Sequence, residues 1–151
     1  MASSTVRFDS VKYLPRLAEF MSQEIERHLK EVEDLQTLSA SHFEILTFLL
    51  RKEKTNMSLI AKAIHRKKST VTVLVNKLQD LDLIRKYSSD EDKRETNLEL
   101  TERGKAVRVV AKRISSSIMA LKLWGLSPKE SEQLFYLLEK TYTHLRSTKK
   151  L

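Results

Sequence analysis

Residues 57–105 read MSLIAKAIHRKKSTVTVLVNKLQDLDLIRKYSSDEDKRETNLELTERGK, and the change of period along this stretch decides the fold. Ile60, Ala61 and Ile64 share one face of a short helix. Beyond a tight turn at His65-Arg66-Lys67, the residues Val71, Leu74, Val75 and Leu78 repeat helical spacing. Ser69, Thr70, Thr72, Val73, Asn76 and Lys77 are thereby turned to the opposite face. The period then shortens. Ile84–Ser88 and Glu95–Leu100 partly alternate and flank the charged turn Ser89-Asp90-Glu91-Asp92-Lys93-Arg94, which predicts a two-stranded hairpin and is the one β signal in the chain.

Helices extend from this segment in both directions. Upstream, Phe43, Leu46, Leu49 and Leu50 form the stripe of a helix with Ser39 as N-cap, preceded by a long amphipathic helix carrying Val11, Leu14, Leu17, Ala18, Met21, Ile25, Leu29 and Val32. Downstream, Thr101 caps a helix with Val107, Val110, Ile114, Ile118 and Leu121 that ends near Trp124-Gly125. Ser127-Pro128-Lys129-Glu130 reads as a capping box opening a last helix with Leu134, Phe135, Leu137, Leu138, Tyr142 and Leu145. The expected fold is mainly α, a winged helix-turn-helix with a short two-stranded β-wing. The 151 residues suit one subunit, 1–151, with no linker or repeat dividing it.

Composition agrees and removes several chemistries. With 2 Gly and 2 Pro the chain lacks the turn residues of an all-β fold, and Gly104 and Gly125 stand too far apart for a phosphate-binding loop. The absence of cysteine excludes disulfides, thiolate zinc sites and thiol switches. Glu24 and His28 have i, i+4 spacing, but two ligands do not make a metal site. His42, His65 and His144 fall in separate segments and read as surface or helix-end residues. Phe43, Phe48, Trp124, Phe135, Tyr136 and Tyr142 lie on helical stripes and read as core rather than as a base-stacking platform. No strained nucleophile turn is visible, so neither catalytic residues, metal nor cofactor is expected. With no leader-like or membrane-length apolar run, a soluble, cytoplasmic protein is expected.

The net charge is +8. Between Arg51 and Arg113 there are 17 basic and 9 acidic residues, whereas the flanks together carry 11 of each, so the whole excess belongs to the middle segment. A localised basic excess is the footprint of polyanion binding, and equally of a solvated lysine-rich face. The residue pattern adds what charge lacks: small polar side chains on the outer face of the second helix of a helix-turn-helix suit the major groove, and a basic hairpin suits a wing.

The chain resembles the MarR-type winged-helix transcriptional regulators. The resemblance runs through LSASHFEILTFL, MSLIAKAIHRKKSTVTVLVNKLQDLDLIRK and SSDEDKRETNLELTERGK, and its most specific element is Asp92-x-Arg94 followed by Leu100-Thr101-x-x-Gly104. It implies a recognition helix presenting Lys67, Lys68, Ser69, Thr70, Thr72, Val73, Asn76 and Lys77 to DNA. It also implies a wing in which Arg94 enters the minor groove, supported by Asp92 and accompanied by Lys93. His65 and Asp82 replace glycines common in the family at two turns, and both residue types tolerate positive φ. Val73 stands where a basic residue is frequent; it either touches a thymine methyl or sits partly buried beside the wing.

The resemblance further implies a homodimer on a pseudo-palindromic operator of double-stranded DNA, with residues 39–102 as the DNA-binding part and 8–34 and 103–147 as dimerisation helices. The wide apolar faces of the terminal helices favour such pairing independently. A repressor is expected, released by a small aromatic or anionic effector if the chain shares that family habit. The alternative is a winged-helix protein-interaction module with only non-specific nucleic-acid affinity.

Overall fold

The computed structural model describes residues 12–88, 95–118 and 125–148. Six helices and three strands occur among them: α1 (Tyr13–Lys30), α2 (Ala40–Lys52), β1 (Lys54–Asn56), α3 (Met57–Ala63), α4 (Lys68–Asp80), β2 (Ile84–Ser88), β3 (Thr96–Leu100), α5 (Glu102–Ile118) and α6 (Pro128–Thr148). The chain divides into two compact units, 1–111 and 112–151, with the boundary inside α5. The mainly α, winged-helix architecture is therefore observed.

In the first unit the core follows the stripes. Ile45, Leu46 and Leu49 from α2, Ile60 from α3, and Val71, Val75 and Leu78 from α4 are fully buried. At roughly 1.5–3 kcal/mol for each buried aliphatic side chain, these seven residues dominate the packing energy of the helix-turn-helix. The hairpin has the expected strands, but it is joined by a third. β1 pairs antiparallel with β3, Thr55 opposite Leu98, giving the order β1-β3-β2. Asn56 then ends β1 and caps α3, its side chain accepting the Leu59 N–H at 2.8 Å and donating to Glu95 at 3.0 Å.

Two left-handed residues set the angles around α4. His65 (φ 52°) ends α3, with the Arg66 N–H bonded to the Ala61 carbonyl at 3.1 Å. Asp82 (φ 55°) ends α4 in a full Schellman turn: Leu83 N–H to Leu78 carbonyl at 3.0 Å and Asp82 N–H to Gln79 carbonyl at 2.8 Å. The two departures from glycine are thus accommodated in the left-handed region. Asp34 (φ 73°) and Glu53 (φ 58°) do the same at turns the sequence did not flag.

Thr101 joins the wing to α5. Its hydroxyl donates to the Asp82 carbonyl at 2.5 Å and accepts the Gly104 N–H at 3.0 Å, while its own N–H reaches the Leu83 carbonyl at 3.1 Å. In the second unit, Gly125 has φ 64°, and the capping box of α6 is formed, with the Ser127 N–H and hydroxyl both donating to Glu130 at 2.9 and 2.7 Å. The carboxyl of Glu130 is held below its ordinary pKa by these bonds. Tyr136 and Tyr142, expected in the core, are exposed instead, as are Leu137, Leu138 and Leu145. On α1 the predicted stripe is buried only at Leu29, whereas Leu14 and Leu17 are exposed.

Candidate nucleic-acid interface

Helix α4 has two chemically distinct sides. Val71, Val75 and Leu78 are buried, while Ser69, Thr70, Thr72, Val73 and Asn76 are exposed on the other face, as the spacing predicts. Val73 is 69% exposed, so it does not sit partly buried beside the wing; that alternative is corrected. Lys67 and Lys68, at the N-terminal end, are exposed and make no ion pair among the described residues. They add formal charge to the positive end of the helix dipole.

Three polar side chains on this helix are already engaged. The Thr72 hydroxyl donates to the Lys68 carbonyl at 2.9 Å. The Asn76 side-chain oxygen accepts from the Lys86 ammonium, a link from β2 to α4. Lys77, expected on the outer face with the others, is half-buried, and its ammonium donates to the Thr37 carbonyl in the segment before α2. The structure therefore brings Ser69, Thr70, Thr72, Val73 and Asn76 together with Lys67 and Lys68, and directs Lys77 elsewhere. Asp92, Lys93 and Arg94 lie outside the described residues. On the described wing strands, Arg85 is paired with Glu99, whose second oxygen is 3.9 Å from Lys54.

The segment that receives Lys77 contains a residue whose role the sequence did not reveal. His42 is the third residue of α2 and takes the place usually filled by Glu or Gln in a capping box: its Nδ1 accepts the Ser39 N–H at 3.0 Å. Its Nε2 is buried without a hydrogen-bond partner among the described residues. Glu26 of α1 accepts the Ala40 N–H at 3.1 Å, so the start of α2 is fixed from two directions. Burial, and then the nearby Lys77 charge, lower the His42 pKa, against an opposing pull from Glu26.

The folded state therefore favours neutral His42. Its contribution to stability is present above the ordinary value of about 6.5 and is lost as pH falls below that value through the lowered folded one. Urea midpoints are expected to decline between about pH 7 and 5, and His42→Gln, which keeps a capping-box acceptor, should flatten that decline. An unchanged pH profile in the variant would remove His42 from this role.

The MarR family model matches residues 38–96, which span α2 to the start of the second wing strand. No curated protein sequence matches the chain significantly. Among solved structures, the S. aureus MepR–DNA complex matches with 25% identity and a TM-score of 0.75, covering 90% of this chain and 98% of that one. Streptococcus pneumoniae FabT in complex with DNA matches at 21% identity and TM-score 0.75, over 91% and 96% of the two chains. A MarR transcriptional regulator from Methanosarcina mazei Go1 matches at 19% identity and TM-score 0.79, over 88% and 93%. Residues 38–96 of this winged helix thus match the MarR family model, and over about nine-tenths of its length the chain is similar in fold to a MarR transcriptional regulator.

Proposed function

We propose that the chain is a sequence-specific, double-stranded-DNA-binding transcriptional regulator that acts as a homodimer and represses by occupying a pseudo-palindromic operator. The observation that carries this reading is the outer face of α4. It stays uncovered while the inner face is buried, it presents Ser69, Thr70, Thr72, Val73 and Asn76, and it has Lys67 and Lys68 at its positive end. Two of the solved structures with this fold, FabT and MepR, are complexes with DNA.

Homodimerisation is supported by apolar side chains that the single chain leaves exposed: Leu14, Leu17 and Phe20 on α1, and Leu137, Leu138, Tyr142 and Leu145 on α6. Effector control is supported by a cavity of about 310 Å³ within the first unit, floored by Leu49 and Leu100 and rimmed by Lys54, Arg85, Lys105 and Arg108 together with Glu53, Glu99 and Glu102. That volume suits a small ligand.

Selection of bound fragments from the source genome tests the reading. A DNA reader should prefer one sequence over random duplex by roughly 10³-fold or more. Uniform weak binding would overturn the proposal in favour of a protein-interaction module. On the selected operator, Arg94→Ala is expected to weaken binding by roughly 1–3 kcal/mol with the fold intact, and unchanged affinity in a gel-shift titration would remove Arg94 from the wing contact.

A further inference from the structure

On the outer face of α4, Val73 and Asn76 are three residues apart, which places their Cβ atoms roughly 5–6 Å from each other on one side of the helix. Val73 supplies bare methyl groups to solvent at 69% exposure. Asn76 is exposed as well, but its amide is not free to present either end. The Lys86 ammonium holds its oxygen towards β2, which leaves the NH₂ group as a donor. An unrestrained asparagine can offer a donor and an acceptor together to adenine; one whose oxygen is held by Lys86 keeps both NH₂ donors but only one lone pair of that oxygen, so donation is its stronger offer.

An apolar methyl surface beside a hydrogen-bond donor is the complement of one base edge in particular. In the major groove thymine shows a C5-methyl group and, beside it, the O4 acceptor. Uracil keeps O4 and lacks the methyl. Cytosine and 5-methylcytosine show an N4 amino donor where thymine has O4, which would face the Asn76 donors. Guanine shows N7 and O6 acceptors, adenine an N7 acceptor beside an N6 amino donor, and neither carries a methyl for Val73. Thr72 does not supply a competing donor, because its hydroxyl hydrogen is directed to the Lys68 carbonyl.

We propose that Val73 and Asn76 read one thymine in each half of the operator, Val73 packing on its C5-methyl and Asn76 donating to O4, with Lys86 as the positioning residue that fixes the sense of the Asn76 amide. This rests on the double-stranded-DNA reading above. It also gives the wing a part in base choice that does not depend on its tip, since Lys86 belongs to β2.

The test uses the full chain and the operator selected from the genome, with affinities measured by fluorescence anisotropy at one salt concentration. Each T·A pair is replaced in turn by deoxyuridine·A, which removes the methyl alone, and by 5-methyldeoxycytidine·G, which keeps the methyl and exchanges O4 for an amine. At one position per half-site, deoxyuridine should weaken binding about 3- to 5-fold and 5-methyldeoxycytidine about tenfold or more. Val73→Ala should abolish the deoxyuridine effect at that position and nowhere else. Lys86→Met should shrink the thymine to 5-methylcytosine ratio there while leaving the deoxyuridine effect, and Asn76→Asp, which now accepts from N4, should invert that ratio.

Because Val73 and Asn76 are exposed, thermal melts of their variants should match the parent. Tolerance of deoxyuridine at every position, or a full deoxyuridine effect surviving in Val73→Ala, overturns the thymine contact. An equal loss for both bases in Lys86→Met overturns the positioning role. Failure to select any operator would overturn this inference together with the DNA-binding reading, whereas the three preceding results leave that reading standing.

Discussion

Gly104→Ala is expected to unfold the winged helix, with a loss of more than about 3 kcal/mol and little or no soluble folded protein to assay. A Cβ built on Gly104 would stand 1.9 Å from the Leu83 carbonyl oxygen, 2.9 Å from its carbon and 3.0 Å from Leu100 Cδ2. The first two obstacles are backbone. They belong to the residue that completes the Schellman turn of α4 and whose carbonyl also accepts the Thr101 N–H, so they cannot step aside without opening the junction of recognition helix, wing and α5. Gly125→Ala provides the contrast. Among the described residues no atom lies within 4 Å of its added Cβ, and there its φ of 64° is what opposes the change, which should cost about 1 kcal/mol. Urea titrations followed by circular dichroism measure both; a Gly104→Ala midpoint close to that of Gly125→Ala would show that α5 can shift away from Leu83.

Gly104 also illustrates what was legible in the sequence. The Thr101-x-x-Gly104 spacing marked a helix start, and periodicity marked the helices, because capping and amphipathic patterns are local and repeat every turn. The left-handed turns at His65 and Asp82 could be placed through the family resemblance, since glycine is common there among MarR-type regulators and both residue types tolerate positive φ. The strand β1 could not. It is three residues long, and its identity comes from pairing with β3, about forty residues further along the chain. The same distance in sequence hid the destination of Lys77, whose helical phase put it on the outer face while its length let the ammonium reach back to Thr37. His42 escaped notice because the capping-box pattern is written for Glu and Gln, although an imidazole nitrogen can accept the same bond. For Val73 the sequence left two alternatives open, and its exposure removes the partly buried one. The exposed tyrosines of α6 mark a limit of another kind: an apolar stripe suits a covered face without saying whether the same chain covers it.

That face makes the double substitution Leu138→Glu, Leu145→Glu the second change expected to have a large effect. Leu137, Leu138, Tyr142 and Leu145 lie along α6 at helical spacing, and each is more than 40% exposed in the single chain. If a two-fold interface buries them, each leucine counts twice. Four buried leucines at roughly 1.5–3 kcal/mol apiece amount to about 6 kcal/mol or more, which is about four orders of magnitude in the dimer dissociation constant. The glutamates add like-charge repulsion across the axis. Sedimentation at micromolar concentration should show monomers, with helical content and the urea midpoint of the first unit preserved, because the core of residues 1–111 contains neither leucine. Operator affinity should fall by about a hundredfold or more, since the second half-site is then no longer bound at the effective concentration that a linked subunit provides. Persistence of the dimer would place the interface away from this stripe. Monomers that kept full operator affinity would show that one winged helix suffices, and with it the pseudo-palindromic operator would lose its physical basis.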